Sequence, residues 1–325
     1  MSKDGDVAGR EERPRGDGSG LPGGRLGRNP INGRLAIAAP ARATRPNAEG
    51  AAAQAAAPCP FCAGHEGLTP PEVDAVRPGG GPPDSPGWRV RVVPNKYPAL
   101  AGRHEVIVHS PGHDVELEDL DEVSLLEVLE VWRRRIAWQL TDGAAAATLI
   151  YNRGAGAGAS QPHPHAQLFA TPVVPPLLLD ELAEFARFRN RYGGCVLCNE
   201  LETAETRLVH DGEVAAWVPA AMRFSHELWL APREHEADLR DADLAPLAAT
   251  LGRALVAVHA ATGGAPLNFW LHTAPAELRG PFHWHLEMAP RLSGIAGFEL
   301  GTDIALVAAD ATTAAAALRA AWPQA

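Results

Sequence analysis

Residues 152–167 read Asn152-Arg-Gly-Ala-Gly-Ala-Gly-Ala-Ser160-Gln-Pro-His163-Pro-His165-Ala-Gln167, directly after the apolar, β-like run Ala147-Thr-Leu-Ile-Tyr151. Gly154, Gly156 and Gly158 let a backbone pass close to a ligand, and N–H groups in such a loop can form a nest for an anion such as phosphate. Pro164 pushes His163 to extended geometry. In an extended segment residues i and i+2 face the same side, so His163, His165 and Gln167 are expected to project together beside the loop. A neutral imidazole nitrogen is a nucleophile at neutral pH once a carbonyl pins the other nitrogen. Gln167 can donate to phosphate oxygens as charge builds on them. The layout points to covalent phosphoryl or nucleotidyl chemistry by a histidine of this pair, with the Gln167 amide beside it. A plain glycine-rich surface loop with two surface histidines is the competing reading, and it leaves the attached His-x-His-x-Gln unexplained.

Moving outward, the same order of features occurs twice. Glu105-Val-Ile-Val-His-Ser-Pro-Gly-His113 is echoed by Glu227-Leu-Trp-Leu-Ala-Pro-Arg-Glu-His235, and Val93-Pro94 by Val218-Pro219. A helix over about 120–140, with Leu125, Leu129, Trp132, Ile136 and Leu140 on one face, is matched by Leu244, Leu247, Leu251, Leu255 and Val258. The strand at 147–151 is matched by Leu267-Asn-Phe-Trp-Leu-His272, and Pro162-His163-Pro-His165 by Phe282-His283-Trp-His285. An internal duplication accounts for the series. The expected organisation is a disordered polar tail at 1–24, a catalytic half at 25–192 and a second half at 193–325. Within the first half, strands are expected at 88–93 and 105–109, a turn at Asn32-Gly33 followed by a short strand, and a helix at 177–192.

The four cysteines form two pairs, Cys59-Pro-Phe-Cys62 and Cys195-Val-Leu-Cys198. Without a secretion signal, paired C-x-x-C suggests zinc or redox chemistry before disulfides. Cys59 follows an alanine-rich linker and Cys195 follows Gly193-Gly194, which suits a zinc knuckle better than a thioredoxin-like turn. The duplication supplies the remaining ligands. Cys59, Cys62, His113 and His163 form one set; Cys195, Cys198, His235 and His283 form the other. Four N/S ligands with no open position suit structural Zn2+, so two structural zinc sites are expected.

Bulk properties narrow the remaining choices. A chain of 325 residues, 46% hydrophobic, can bury one large core or two ordinary ones. Its net charge of −10 argues against a general nucleic-acid or membrane binder. Lys3 and Lys96 are its only lysines, and alanine is abundant, a compositional bias. There is no membrane-length apolar run and no hydrophobic signal core, which leads to the expectation of a cytoplasmic protein. Arg42 and Arg45, three apart, could clamp a phosphate. Only the first half is expected to be catalytic: the second lacks the glycine loop and carries Glu287 where the first has Gln167, and a carboxylate there would repel phosphate.

These motifs resemble the galactose-1-phosphate uridylyltransferases, the double-domain branch of the histidine-triad superfamily. The resemblance runs from about residue 26 to 310 through Asn29-Pro30 with Arg34, Pro40-Ala-Arg42-Ala-Thr-Arg45-Pro46, Cys59-Pro-Phe-Cys62, the 152–160 loop and His163-Pro-His165-Ala-Gln167. It implies an α+β fold of two tandem histidine-triad-like halves, each an antiparallel sheet flanked by helices, and usually a homodimer. It implies a ping-pong enzyme in which His165 forms a nucleotidyl-histidine, with a nucleotide sugar and a sugar 1-phosphate as partners and a place in galactose metabolism. Ser160 and Gln167 would contact phosphates; Arg42, Arg45, Asn95, Asn152 and Gly158 would surround the nucleotide. Uridylyl transfer between UDP-glucose and a hexose 1-phosphate is the leading reading.

The second C-x-x-C and the stretch 292–301 look closer to the ADP-glucose phosphorylase type, which hands AMP to phosphate; that is the alternative. Gly297-Phe298 stands where the family often carries Lys-Phe. Some uridylyltransferases hold an iron-type site that Glu181, His272, His283 and His285 would match, but His283 cannot serve both that site and zinc. Two further readings are a zinc-stabilised nucleotide-binding protein without catalysis, and a hydrolase. Gln167, where histidine-triad hydrolases carry another histidine, favours transfer over hydrolysis.

Overall fold

The computed structural model describes residues 25–28, 33–39, 58–278 and 281–324. The expectations for the 1–24 tail, Asn29-Pro30, Arg42, Arg45 and the 47–57 linker lie outside them. Strands β1 (Arg25–Arg28) and β2 (Leu35–Ala38) form an antiparallel pair. The other strands form one ten-stranded sheet. They are β3 (Asp74–Val76), β4 (Val90–Pro94), β5 (His104–Val108), β6 (Ala146–Arg153) and β7 (His165–Thr171), then β8 (Leu208–His210), β9 (Val214–Trp217), β10 (Leu228–Pro232), β11 (Leu267–His272) and β12 (His285–Pro290). The spatial order is β3-β4-β5-β7-β6-β11-β12-β10-β9-β8, and every neighbouring pair is antiparallel. Counted from its own outer edge, each half has the same strand order. These are the two tandem histidine-triad-like halves, fused side by side through β6 and β11.

Strand alternation divides the side chains between two faces. Val90, Val92, Ile107, Leu149, Tyr151, Ala166 and Leu168 face the main core, together with Leu228, Leu230, Phe269, Leu271, Leu286 and Met288. Two long helices cover that face, α1 (Glu122–Thr141) and later α4 (Ala245–Thr262). Asp121 caps α1 by accepting from the Ser124 N–H at 2.8 Å, so the helix starts two residues later than its apolar spacing suggests. Glu105 points to this face and pairs with Arg135 of α1 at 2.5 Å, both side chains buried, while Gln139 donates to Glu105 at 2.8 Å. Between α1 and α4 in the chain lie α2 (Pro176–Tyr192) and α3 (Val196–Thr203); α5 (Gly297–Thr302) and α6 (Ala311–Ala321) follow.

The helix α2 precedes residue 193 but packs on the second half. Leu178 and Phe185 join Leu197, Leu201, Trp217 and Phe282 in a separate core on the opposite face of the sheet. The register also revises the duplication. Val106 pairs with Gln167, whereas Trp229 pairs with Glu287. The structural partner of Val106 is therefore Trp229, and the echo between Glu105 and Glu227 is out of phase by one residue. Glu105 lies on the helix side, while Glu227 accepts from the Trp229 indole at 2.7 Å on the other side.

Candidate active site and metal centres

The face of β5 and β7 turned away from α1 carries His104, Val106 and Val108 opposite Phe169, Gln167 and His165. His165 and Gln167 are buried neighbours on one strand face, as the His-x-His-x-Gln spacing requires. The Nδ1 of His165 lies 2.8 Å from the His163 carbonyl. A carbonyl only accepts, so Nδ1 carries the hydrogen and the lone pair sits on Nε2. Phe61 packs on this ring with centroids 5.1 Å apart. A cavity of about 340 Å³ opens over the pair, walled by Phe61, Leu68, Pro70, Val93 and Val106, with Asn95, Lys96, Tyr97 and Ser160 along it. A second cavity of about 750 Å³ shares Ser160 and Gln161 with the first and continues past Gly154 and Arg153 to His259. An apolar slot that continues past Ser160 into a wider one carrying Arg153 and His259 suits a ligand with a flat ring at one end and phosphates towards the other.

The glycine loop is built differently from the expected nest. Ala155–Ala157 form a short 3-10 turn, with Gly154 and Gly158 at φ 79° and 82°. The N–H groups of Ala157 and Ala159 donate to Gly154, and that of Gly158 donates to Ala155. Those amides close the turn on itself and are not aimed at an anion. At Gly156 an added Cβ would come 3.0 Å from the Pro266 ring, so a larger residue there would press on the second half. Asn268 of β11 locks the loop by donating to Asn152 Oδ1 at 2.7 Å and to the Ala157 carbonyl at 2.8 Å. Asn152 and Gly158 are not among the residues lining either cavity; Asn95, Ser160, His165 and Gln167 are.

Both cysteine–histidine sets assemble. The donor atoms of Cys59, Cys62, His113 and His163 lie within 4.8 Å of one another, as do those of Cys195, Cys198, His235 and His283. Cys62 Sγ is 3.3 Å from His113 Nδ1, and both cysteine sulfurs are 3.7 Å from His163 Nδ1. In the second set His283 Nδ1 is 3.7 Å from Cys195 and 3.5 Å from Cys198, with His235 Nδ1 at 3.8 Å from Cys198. Tetrahedral zinc with bonds of about 2.0–2.3 Å puts its ligands roughly 3.5 Å apart, so both donor sets fit. His163 Nε2–H donates to the Ser110 carbonyl at 2.8 Å, which turns Nδ1 to the sulfurs. Burial lowers the His163 imidazole below its ordinary value, keeping it a neutral donor. In the metal-free protein, burial and the neighbouring Cys59 push the Cys62 thiol up to about 11. Burial and Cys195 push Cys198 up to about 12. A bound cation would reverse both by holding thiolates. Cys195 stands at the N-terminal cap of α3, a helical setting in place of the expected knuckle.

A third cluster settles the competition for His283. Glu181, His272, His285 and Glu287 have donor atoms within 4.8 Å of one another, and His283 is with the cysteines. The iron-type set of Glu181 with His272, His283 and His285 is therefore not assembled; Glu287 stands in the fourth place. Two carboxylates and two imidazoles at this spacing could hold a divalent ion. The arrangement mirrors the first half, since His285 Nδ1 donates to the His283 carbonyl at 3.0 Å. Around it the chemistry is changed. Trp229 stacks on His285 with centroids 4.9 Å apart, and the Trp270 indole donates to Glu287 at 2.8 Å. Burial alone would raise the Glu287 carboxyl, but His285, His272 and Arg223 hold it below its ordinary value and therefore anionic. A phosphate is unwelcome there.

Residues 95–175 match the family model described as galactose-1-phosphate uridyl transferase, N-terminal domain. The ADP-glucose phosphorylase of Arabidopsis thaliana is 31% identical over 312 residues, covering 85% of this chain and 87% of that protein. A crystal structure of an ADP-glucose phosphorylase from the same plant with bound ADP-glucose superposes with a TM-score of 0.75 at 29% identity, covering 91% of this chain and 98% of that one. The galactose-1-phosphate uridylyltransferase of Streptomyces lividans is 31% identical over 166 residues, 49% of this chain and 47% of that protein.

Proposed function

This chain belongs to the galactose-1-phosphate uridylyltransferase family of nucleotidyltransferases, and we propose that within it the protein moves an adenylyl group from ADP-glucose to inorganic phosphate. The observation that carries the transfer step is the His165 Nδ1–H donated to the His163 carbonyl, with Gln167 beside the ring. His165 Nε2 attacks the α-phosphorus, the bond from that phosphorus to the bridging oxygen breaks, and glucose 1-phosphate leaves as an anion. A phosphate oxygen then attacks the same phosphorus, the P–N bond breaks, and ADP leaves with the imidazole restored. Each step is an in-line displacement that needs placement and charge stabilisation more than proton transfer. Gln167 and Ser160 would donate to the phosphate oxygens, and Arg42, Arg45 and Asn95 are proposed around the nucleotide. Structural zinc in the first Cys2His2 set would fix His163, and through its carbonyl His165, without entering the chemistry; zinc in the second would fix His283.

The adenylyl branch is preferred over the expected uridylyl one because the similarity to ADP-glucose phosphorylase runs through both halves, while that to the Streptomyces enzyme covers under half of it. The match to the uridyl transferase family model supports the uridylyl reading as the second. Homodimerisation is also proposed; Leu292, Ile295, Phe298, Leu300, Ile304 and Leu306 form an exposed apolar stretch that a partner copy would cover. The test of the reaction is intact-protein mass after brief incubation with ADP-glucose or UDP-glucose, without acceptor. An AMP-sized adduct on His165, discharged by phosphate, is expected. A UMP-sized adduct moves the protein to the uridylyl branch, and no adduct with either ends the nucleotidyl-histidine reading for both donors.

A further inference from the structure

A buried histidine that the transfer step does not touch stands directly behind Gln167. His104 begins β5, is 1% exposed, and stacks on Phe169 with centroids 3.9 Å apart and planes at 26°. Its Nδ1 is 3.1 Å from the Ala99 backbone nitrogen, which can only donate. That contact fixes Nδ1 as the acceptor, so the ring hydrogen is on Nε2. The Gln167 amide oxygen is 3.0 Å from Nε2 and accepts that hydrogen. Asn95 Nδ2 also lies 3.1 Å from that nitrogen, but both are donors once Nε2 carries the hydrogen, so this contact is not a hydrogen bond; Asn95 Oδ1 accepts from the Tyr97 N–H at 2.8 Å.

An amide has two ends of similar shape and opposite hydrogen-bonding character. At Gln167 the choice of end decides whether the cavity beside His165 meets a donor or an acceptor. We propose that His104 is a positioning residue: its Nε2–H holds the Gln167 oxygen inward, so that the Gln167 NH2 group is presented to the phosphate of the nucleotide sugar. The relay runs from the Ala99 N–H to the His104 ring, then to the Gln167 oxygen, and leaves the amide hydrogens aimed at the substrate. Without it the amide can turn over and set its oxygen against phosphate oxygens. His104 is 1% exposed and is not among the residues lining either cavity, so its effect on the substrate passes through Gln167. The inference rests on the nucleotidyl-transfer reading.

The experiment is the single-turnover rate of His165 labelling at saturating ADP-glucose, with donor affinity measured separately. His104→Phe keeps a ring against Phe169 and deletes the donor. It is expected to slow labelling by about tenfold to a hundredfold, a part of what loss of one preorganised donor costs, with donor affinity changed less than about twofold. In a Gln167→Ala background the same change should have no further effect, because its target is gone. His104→Gln, whose amide can accept from Ala99 and donate to Gln167, should restore most of the rate. An equal slowing by His104→Phe in both backgrounds, or none in either, overturns the proposal. If His104→Phe does not fold, a large loss with His104→Gln overturns it as well. Wild-type protein that takes no label from ADP-glucose or UDP-glucose refutes the transfer reading instead, a different result from a labelled wild type with an indifferent His104.

Discussion

At the scale of the residue, His165 is an ordinary imidazole made useful by one carbonyl 2.8 Å from its Nδ1. His165→Gln keeps size and polarity but supplies no nucleophile. It should fold with an unchanged melting temperature and give no nucleotidyl adduct, read by mass; retained adduct would place the nucleophile elsewhere. His165 and Gln167 were legible in the sequence because adjacent i, i+2 residues on an extended segment share a face whatever the rest of the chain does. His104 was not. The strand spacing suggested 105–109, which starts one residue late and draws attention to Glu105 and His109. The phase of a short apolar strand cannot be read without its neighbour, and a one-residue shift exchanges its faces. The echo of Glu105 in Glu227 is one residue out of phase for the same reason.

At the scale of the element, β5 is held to α1 by Arg135 and Glu105, both buried and joined by Gln139. This pair fixes the strand whose other face carries His104. Removing one partner leaves a buried charge: Arg135→Ala should cost about 3–5 kcal/mol in denaturant unfolding, while the apolar double replacement Arg135→Met with Glu105→Leu should recover most of it. Equal losses in the two variants would show that packing, not charge, was measured. Long elements with strong periodicity, α1, α2 and α4, were readable. The edge strand β8 and its neighbour β9 are too short to show a period, and α6 reads Ala-Thr-Thr-Ala-Ala-Ala-Ala-Leu-Arg-Ala-Ala. In an alanine-rich chain that segment stands out little from linker, and its buried Ala314, Ala315 and Leu318 are identified only by packing.

At the scale of the whole molecule, each half carries a Cys2His2 cluster that brings together segments far apart in the chain, Cys59 with His163 and Cys195 with His283, and a metal bound there would cross-link them. Cross-links of that span stabilise by binding the folded state alone. Metal analysis of purified protein is expected to find zinc that falls by one ion per chain in Cys62→Ser and by one in Cys198→Ser. A strong chelator should lower the melting temperature and added zinc should restore it. A protein that is zinc-free and equally stable would overturn the structural role. Among the described residues no helix is long and apolar enough to cross a membrane.

The seam between the halves has a further consequence. Strand β6, which delivers the loop before His165, is hydrogen-bonded along Leu149–Arg153 to β11 of the second half, with Asn268 reaching across to the loop itself. A free-standing first half would leave that ladder bare, and a bare strand edge recruits whatever chain is nearby. Covalent fusion supplies the neighbour at a fixed, high local concentration. The loop beside His165 is therefore shaped independently of dilution, and the second half serves as a permanent internal partner.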